Sequence, residues 1–79
     1  MQIEWRSYGR GRETGVRAFA LLPDAIALRF SDGSVYLYTH DRPGAAHVRA
    51  MRERAMAGRG LSTYVSQHVQ QRYAGKLDA

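Results

Sequence analysis

The fold is decided by Ala25-Ile-Ala-Leu-Arg-Phe-Ser-Asp-Gly-Ser-Val-Tyr-Leu-Tyr-Thr39, a stretch with two apolar runs around one turn. Both runs are rich in apolar and aromatic residues that repeat at every second position, which is typical of half-buried strands. The dipeptide Asp32-Gly33 between them is among the strongest short-range signals of a tight turn. The stretch therefore predicts an antiparallel β-hairpin.

The length of that turn decides which side chains share a face of the hairpin. A two-residue turn pairs Leu28 with Leu37 and puts the two tyrosines beside Arg29, on the other face. A three-residue loop that ends in a left-handed Gly33 pairs Leu28 with Tyr36 instead, and every side chain changes face. We favour the three-residue loop because it gathers the large side chains on one surface for helices to cover. These side chains are Ile26, Leu28, Phe30, Tyr36 and Tyr38.

Under this register a small apolar strip lies on the far side, and the N-terminal arm or a second subunit would shield it. The strip consists of Ala25, Ala27, Val35 and Leu37. Upstream, residues 1–15 contain Trp5 in an alternating segment, which indicates a short strand or a loose arm, and then a loop rich in Gly and Arg. Residues 16–22 predict a further strand, which Pro23-Asp24 turns back into the hairpin.

Two helices are predicted downstream of the hairpin. The first is capped by Thr39 or Asp41, has Pro43 in its first turn, and runs to about Ala57 before Gly58 ends it. Its apolar spacing turns one set of side chains towards the sheet and the charged set away. The inward set is Val48, Met51 and Ala55; the outward set is Arg42, Arg49, Arg52 and Glu53.

The second helix starts at Ser62 or Thr63 and ends before Gly75. Its periodicity predicts a buried face made of Leu61, Val65, Val69 and Tyr73. Tyr64 and His68 are i, i+4 neighbours, with Arg72 one turn further. The outer face of this helix therefore carries a stripe of ring, imidazole and guanidinium.

Together these elements predict an α+β fold, an antiparallel sheet of three to four strands followed by two α-helices packed on one face. With 79 residues there is room for one modest core. We expect residues 1–15 to form the arm and residues 16–79 the single domain. The chain has no Cys, no apolar run of transmembrane length and no signal-peptide pattern, so we expect a cytoplasmic protein.

Motifs of catalysis and metal binding are missing from the sequence. The histidines His40, His47 and His68 lack the spacing of a helical zinc site, and no phosphate loop or Gly-x-Ser-x-Gly elbow occurs. Asp32 and Asp41 take turn and cap positions instead of forming a carboxylate pair. We therefore predict a non-enzyme that holds neither a metal nor a cofactor.

Positive charge is concentrated in the C-terminal half of the chain. Residues 42–79 hold seven of the 12 Lys and Arg residues and two of the seven Asp and Glu residues, a net charge of +5. Such a field attracts polyanions, and Arg suits phosphates and stacked bases. We predict a nucleic-acid surface with phosphate contacts and base stacking. The phosphate contacts come from Arg49, Arg52, Arg59, Arg72 and Lys76, and the stacking from Tyr64 or His68.

The order of several short motifs resembles the KTSC domain, a family named for the C-terminus of certain lysyl-tRNA synthetases. The matching motifs span about residues 16–74. They are Ala27-Leu-Arg-Phe30, Gly33, Tyr36-Leu-Tyr38, Ala57-Gly-Arg-Gly-Leu-Ser-Thr-Tyr64, His68, Val69 and Tyr73. The family has a Val-Pro before the first helix, where this chain has Thr39-His-Asp-Arg-Pro43. The resemblance implies an antiparallel sheet followed by two helices in a small bacterial or phage protein, with RNA binding as the suggested role.

The leading hypothesis is a small accessory domain that binds nucleic acid, RNA rather than DNA, through a basic helical face. The alternative is a protein-interaction module, namely a homodimer, or an adaptor or inhibitor that docks on an acidic protein or a larger nucleoprotein assembly. This alternative is motivated by the apolar strip and by Trp5, which has no local sequence partner to pack on.

Overall fold

A computed structural model of the chain describes residues 3–9, 15–69 and 71–77. Its strands are β1 (Arg6–Ser7), β2 (Val16–Leu22), β3 (Ala25–Phe30), β4 (Val35–Thr39) and β5 (Gly75–Leu77). Its helices are α1 (Ala45–Ala57) and α2 (Leu61–Tyr64), and α2 continues into a π-helical turn over Val65–Val69. The strands form one antiparallel sheet in the order β1-β2-β3-β4-β5. The α+β class is confirmed, but the sheet has five strands where three to four were predicted.

The strands beyond the predicted ones form the two edges of the sheet. β1 has two residues and lies in the segment predicted to be a short strand or a loose arm, whereas β5 has three residues, too few for an alternating pattern to predict it. β1 lies in the predicted N-terminal arm, and the next residue, Tyr8, is buried, with its hydroxyl accepting the backbone N–H of Leu61 at 2.8 Å. The predicted loop rich in Gly and Arg falls largely on residues 10–14, which lie outside the described residues.

The hairpin adopts the favoured register. Leu28 pairs with Tyr36 and Ile26 with Tyr38, and Gly33 has the left-handed φ of 89° that closes a three-residue loop. The loop is held by Asp32, which accepts hydrogen bonds from the amide and the hydroxyl of Ser34. These two bonds lower the pKa of the Asp32 carboxyl.

The core lies between one face of the sheet and the helices. From the strands, Ile26, Leu28 and Tyr38 are fully buried on this face. From α1 the inward residues are Val48, Met51 and Ala55, as predicted, and α2 with its π-helical turn adds Leu61, Val65 and Val69. We call this the helix face of the sheet.

The opposite face, which we call the alanine face, carries small side chains in its centre. Ala20 pairs with Ala27, which pairs with Leu37, and both alanines are 0% exposed. Trp5 precedes β1, and strand alternation puts it on this face, where its indole lies 4.4 Å beneath the guanidinium carbon of Arg29. The small side chains in the centre of this face leave room for the indole beside Arg29.

The first helix begins later than predicted, and neither Thr39 nor Asp41 caps it. Its N-cap is Gly44, without a side-chain cap bond, because the Thr39 hydroxyl instead accepts the backbone N–H of Arg42 in the turn after β4. Gly58 ends the helix in a left-handed conformation, as predicted. Among the described residues, no helix combines the length and apolar character needed to cross a bilayer.

The second helix is much shorter than predicted, and Gly75 belongs to a strand instead of closing a helix. Ser62 does not cap it either, because the Ser62 hydroxyl accepts the backbone N–H of Val16 at 3.1 Å. After Val69 the chain leaves the helix, and the Ala74 N–H donates to the carbonyl of Leu37 at 2.7 Å. A helix continued to residue 74 would leave that edge of β4 unpaired, whereas β5 satisfies its backbone groups.

Two buried tyrosine hydroxyls of the core differ in their partners, and this difference predicts opposite effects on stability. The Tyr38 hydroxyl is buried and has no hydrogen-bond partner in the part of the chain that the structure describes, so we expect Tyr38→Phe to leave the free energy of unfolding unchanged or to raise it. Tyr8→Phe strips the buried Leu61 amide of its acceptor and is expected to cost about 1–3 kcal/mol. Urea unfolding of both variants measures the difference, and equal losses in the two would contradict this account.

The same burial predicts the alkaline behaviour of the protein. Burial raises the pKa of Tyr38 above its ordinary value, so the folded chain keeps the phenol neutral. The unfolded chain ionises this group at a pH of about 10. The contribution of this group to the free energy of unfolding is therefore unchanged below that pH, and the free energy of unfolding falls as the pH rises above it. We expect Tyr38→Phe to reduce this fall in urea unfolding at alkaline pH.

Candidate nucleic-acid interface

The two helices meet around the side chain of Tyr64. His47 and Arg54 are seven residues apart on α1, two helical turns, and therefore lie on the same flank of that helix. The Tyr64 hydroxyl shares a hydrogen bond with Nδ1 of His47 at 2.7 Å. The guanidinium carbon of Arg54 lies 4.4 Å from the centroid of the Tyr64 ring. Tyr64 thus joins both ends of one flank of α1.

A second ring completes this arrangement. The imidazole of His68 lies on Tyr64, with centroids 4.5 Å apart and planes tilted by 35°, and its centroid is 6.3 Å from that of His47. Arg54 is held in place by donation to the Ala50 carbonyl at 3.2 Å. We call His47, Arg54, Tyr64 and His68 the helix-junction cluster.

The helix-junction cluster faces solvent. His68 is exposed, while His47, Arg54 and Tyr64 are half-buried. The exposed Arg59 lies in the turn between the helices, where its N–H donates to the Arg54 carbonyl at 3.3 Å. Rings fixed at a basic surface stack nucleobases, and neighbouring guanidinium groups bind phosphate. The fold therefore places the predicted pair, Tyr64 and His68, beside two cations, Arg54 and Arg59.

A second aromatic group lies on the helix face, near the hairpin turn. The ring centroids of Phe30 and Tyr36 are 5.5 Å apart, and those of Tyr36 and Tyr73 are 4.4 Å apart. Nζ of Lys76 lies 5.9 Å from the centroid of Tyr36. Phe30, Tyr36 and Tyr73 are half-buried and Lys76 is exposed. We call these four residues the strand-end cluster.

Arg49 and Arg52 lie elsewhere, on the flank of α1 opposite His47 and Arg54. Arg52 was predicted to point away from the sheet, but its Nη1 donates to the carbonyls of Leu22 and Ala25 at 2.9 and 3.2 Å. The physical reason is that Leu22 and Ala25 flank the turn between β2 and β3, where their carbonyls lie within hydrogen-bond distance of the Arg52 guanidinium. Arg49 stays exposed, in a shallow hollow that also contains Asp24 and His40.

Arg72 does not continue the stripe of Tyr64 and His68. The helical segment ends at Val69, and the Arg72 N–H donates to the Val69 carbonyl in a turn. Its side chain lines a hollow with Asp41, Arg42 and Pro43. The seven predicted residues therefore do not form one surface. They divide among the helix junction, the strand end, the β2–β3 turn and this hollow.

Sequence reasoning missed His47, Arg54, Tyr36 and Tyr73 as surface residues of the candidate site. The seven-residue spacing of His47 and Arg54 was an available signal, because it places both on one helix flank. A second signal is that residues 54–77 contain four cations and no Asp or Glu. This acid-free segment supplies three of the four residues of the helix-junction cluster and two of the four residues of the strand-end cluster. Within residues 3–9, 15–69 and 71–77, no group of three or more His, Cys, Asp or Glu side chains is placed to hold a metal.

Comparison of the chain with models of known families, with curated proteins and with solved structures finds no match. The resemblance to the KTSC family therefore stays a prediction based on its short motifs.

The contact between His47 and Tyr64 predicts a role for Tyr64 in stability. Tyr64→Phe keeps the ring and removes the partly buried hydroxyl, so we expect a loss of about 0.5–1.5 kcal/mol in the free energy of unfolding. Ser66→Ala, an exposed change in the π-helical turn, is the control and should stay within about 0.5 kcal/mol of wild type. Urea unfolding measures both, and indistinguishable stabilities would show that the hydrogen bond does not hold the helices together.

Proposed function

We propose that this protein is a non-enzymatic domain that binds single-stranded nucleic acid, RNA in particular, on the helix-junction cluster. The observation that supports it is the Tyr64 ring, which is fixed against one guanidinium and one imidazole at a solvent-facing junction. RNA binding is also the role that the resemblance to the KTSC family suggests. We further infer a cytoplasmic location, which the absence of Cys favours.

Single strands fit this cluster better than a duplex does. Bases of a single strand are free to leave their own stack and lie on protein rings, whereas bases of a duplex are already stacked. The hydrogen bond to His47 and the contact with Arg54 fix Tyr64 before any ligand arrives. Less conformational entropy is then lost when a base binds, which favours affinity.

Charge complementarity favours a polyanion over a neutral partner. The segment that supplies Arg54, Arg59, Tyr64 and His68 contains no acidic residue, so carboxylates of this segment do not compete with phosphate for its cations. Arg fits phosphate through its planar, bidentate geometry. Arg49 and Arg52 contribute only to the long-range field, because they lie on the other flank of α1.

A pair of substitutions at one position tests the proposal. Tyr64→Leu removes the stacking ring but keeps an apolar side chain. We expect it to lower the affinity for a fluorescent single-stranded RNA oligomer about tenfold, because stacking contributes about 1–3 kcal/mol per base. Tyr64→Phe keeps the ring and its contact with Arg54 and loses only the hydrogen bond to His47, so we expect a smaller loss of about twofold to threefold. Fluorescence anisotropy measures both.

The charge part of the proposal has a matched control within the chain. Arg59→Gln and Arg49→Gln each remove one exposed positive charge, but only Arg59 lies beside the cluster. Removing a phosphate contact lowers the dependence of log affinity on log salt by about 0.7 for a single strand. We expect this decrease for Arg59→Gln alone. Equal slopes for both variants, or no salt-dependent binding by the wild type, would disprove the proposed interface.

A protein-interaction module is the second candidate function, and the alanine face favours it. Leu22, Leu37 and Leu77 lie half-exposed on that face, so a second copy would bury further apolar surface there. Under this function, light scattering gives a mass that rises with concentration from 8.9 kDa towards twice that value. Leu37→Lys should restore the monomer, whereas a monomeric wild type at every concentration excludes the homodimer.

A further inference from the structure

We infer that the strand-end cluster is a second base-stacking site, and that the ligand is a strand long enough to reach both clusters. This inference rests on the proposed function and specifies its ligand. It concerns Phe30, Tyr36, Tyr73 and Lys76, of which only Lys76 was predicted to contact nucleic acid.

The three rings of the strand-end cluster form one connected group. Tyr36 lies between Phe30 and Tyr73, with centroid distances of 5.5 and 4.4 Å. Behind them, Tyr73 meets the fully buried Tyr38 edge to face at 6.4 Å. The group is therefore anchored to the core on one side and open to solvent on the other. Rings held in this way present faces without a large entropic cost on binding.

The incomplete burial of these rings follows from how far the helices extend. On the helix face, Ile26, Leu28 and Tyr38 are 0% exposed. Phe30 and Tyr36 lie on the same face, nearer the hairpin turn, and remain half-exposed. There the segment after Val69 replaces the helix and contributes one ring, Tyr73. The end of the sheet thus carries aromatic surface that the helices leave uncovered.

The charge beside these rings matches a phosphate backbone. The ammonium of Lys76 lies over Tyr36, close enough to the hairpin turn to contribute to the lowered pKa of Asp32. That carboxylate accepts two hydrogen bonds from Ser34, so its charge is partly engaged within the turn. Apart from its contact with the Tyr36 ring, the side chain of Lys76 makes no hydrogen bond or ion pair with the described residues.

Both clusters lie on the helix side of the sheet. Tyr64 precedes the π-helical turn, His68 lies within it, and Tyr73 follows it by four residues. The longest dimension of the domain is 32 Å. Single-stranded sites on small domains span about 4–16 nucleotides. A ligand bound at both sites gains affinity because its second contact is intramolecular.

The length of the ligand gives the decisive experiment. The experiment is to measure, by fluorescence anisotropy, the binding of fluorescein-labelled uridine oligomers of about 3 and about 12 nucleotides. The shorter oligomer reaches one site and the longer one reaches both. Wild type should bind the longer strand at least tenfold more tightly. Tyr73→Leu, which keeps an apolar cover over Tyr38, and Lys76→Gln, a surface change that leaves the packing intact, should each remove most of that advantage. Neither should change binding of the shorter strand by more than about twofold.

Arg49→Gln is the control for charge, because it removes one cation far from both clusters and should keep the length advantage. An unchanged length advantage in both Tyr73→Leu and Lys76→Gln overturns the inference, while a loss of binding in Tyr64→Leu would still support the proposed function. If no oligomer binds the wild type in a salt-dependent way, the proposed function itself has failed. The two failures are therefore distinguishable.

Discussion

The register of the β3–β4 hairpin is the constraint on which the rest of the structure depends. It is set by the three-residue loop that Gly33 closes in the left-handed region. In this register Leu28 and Tyr36 face the helices, while Ala27 and Leu37 face away. A slip of one residue would carry the tyrosines of β4 to the alanine face and leave the helices without their aromatic partners. The core and the strand-end cluster follow from this one turn.

The two faces of the sheet differ in the size of their side chains and in what covers them. The helix face uses large side chains that two helices bury, whereas the alanine face uses Ala20 and Ala27 to leave room for Trp5. On the alanine face the Trp5 ring and the guanidinium of Arg29 stack on each other, while Leu37 stays half-exposed.

Local pattern predicted most of the fold, and the failures share a physical cause. The hairpin, its register, the buried stripe of α1 and the stop at Gly58 were all predicted, because each depends on residues close in sequence. β1 was predicted only as the alternative to a loose arm, and β5 was not predicted, since strands of two and three residues exist only where a neighbouring edge offers partners. The predicted end of the second helix was wrong for the same reason, because the edge of β4 pairs with residues 75–77 and draws them into the sheet. At the site, the i, i+4 spacing of Tyr64 and His68 predicted that these two side chains are neighbours. Their contacts with His47 and Arg54 were not predictable from local spacing, because they depend on how the two helices pack.

The candidate binding residues are also the ones that complete the core. Tyr64 joins the helices through His47, and Tyr73 covers Tyr38 at the end of the sheet. A ligand that stacks on these rings contacts them only in the folded arrangement, so binding stabilises the fold by mass action. Under the proposed function, a substitution at one of these half-buried rings therefore changes both the free energy of unfolding and the affinity for the ligand.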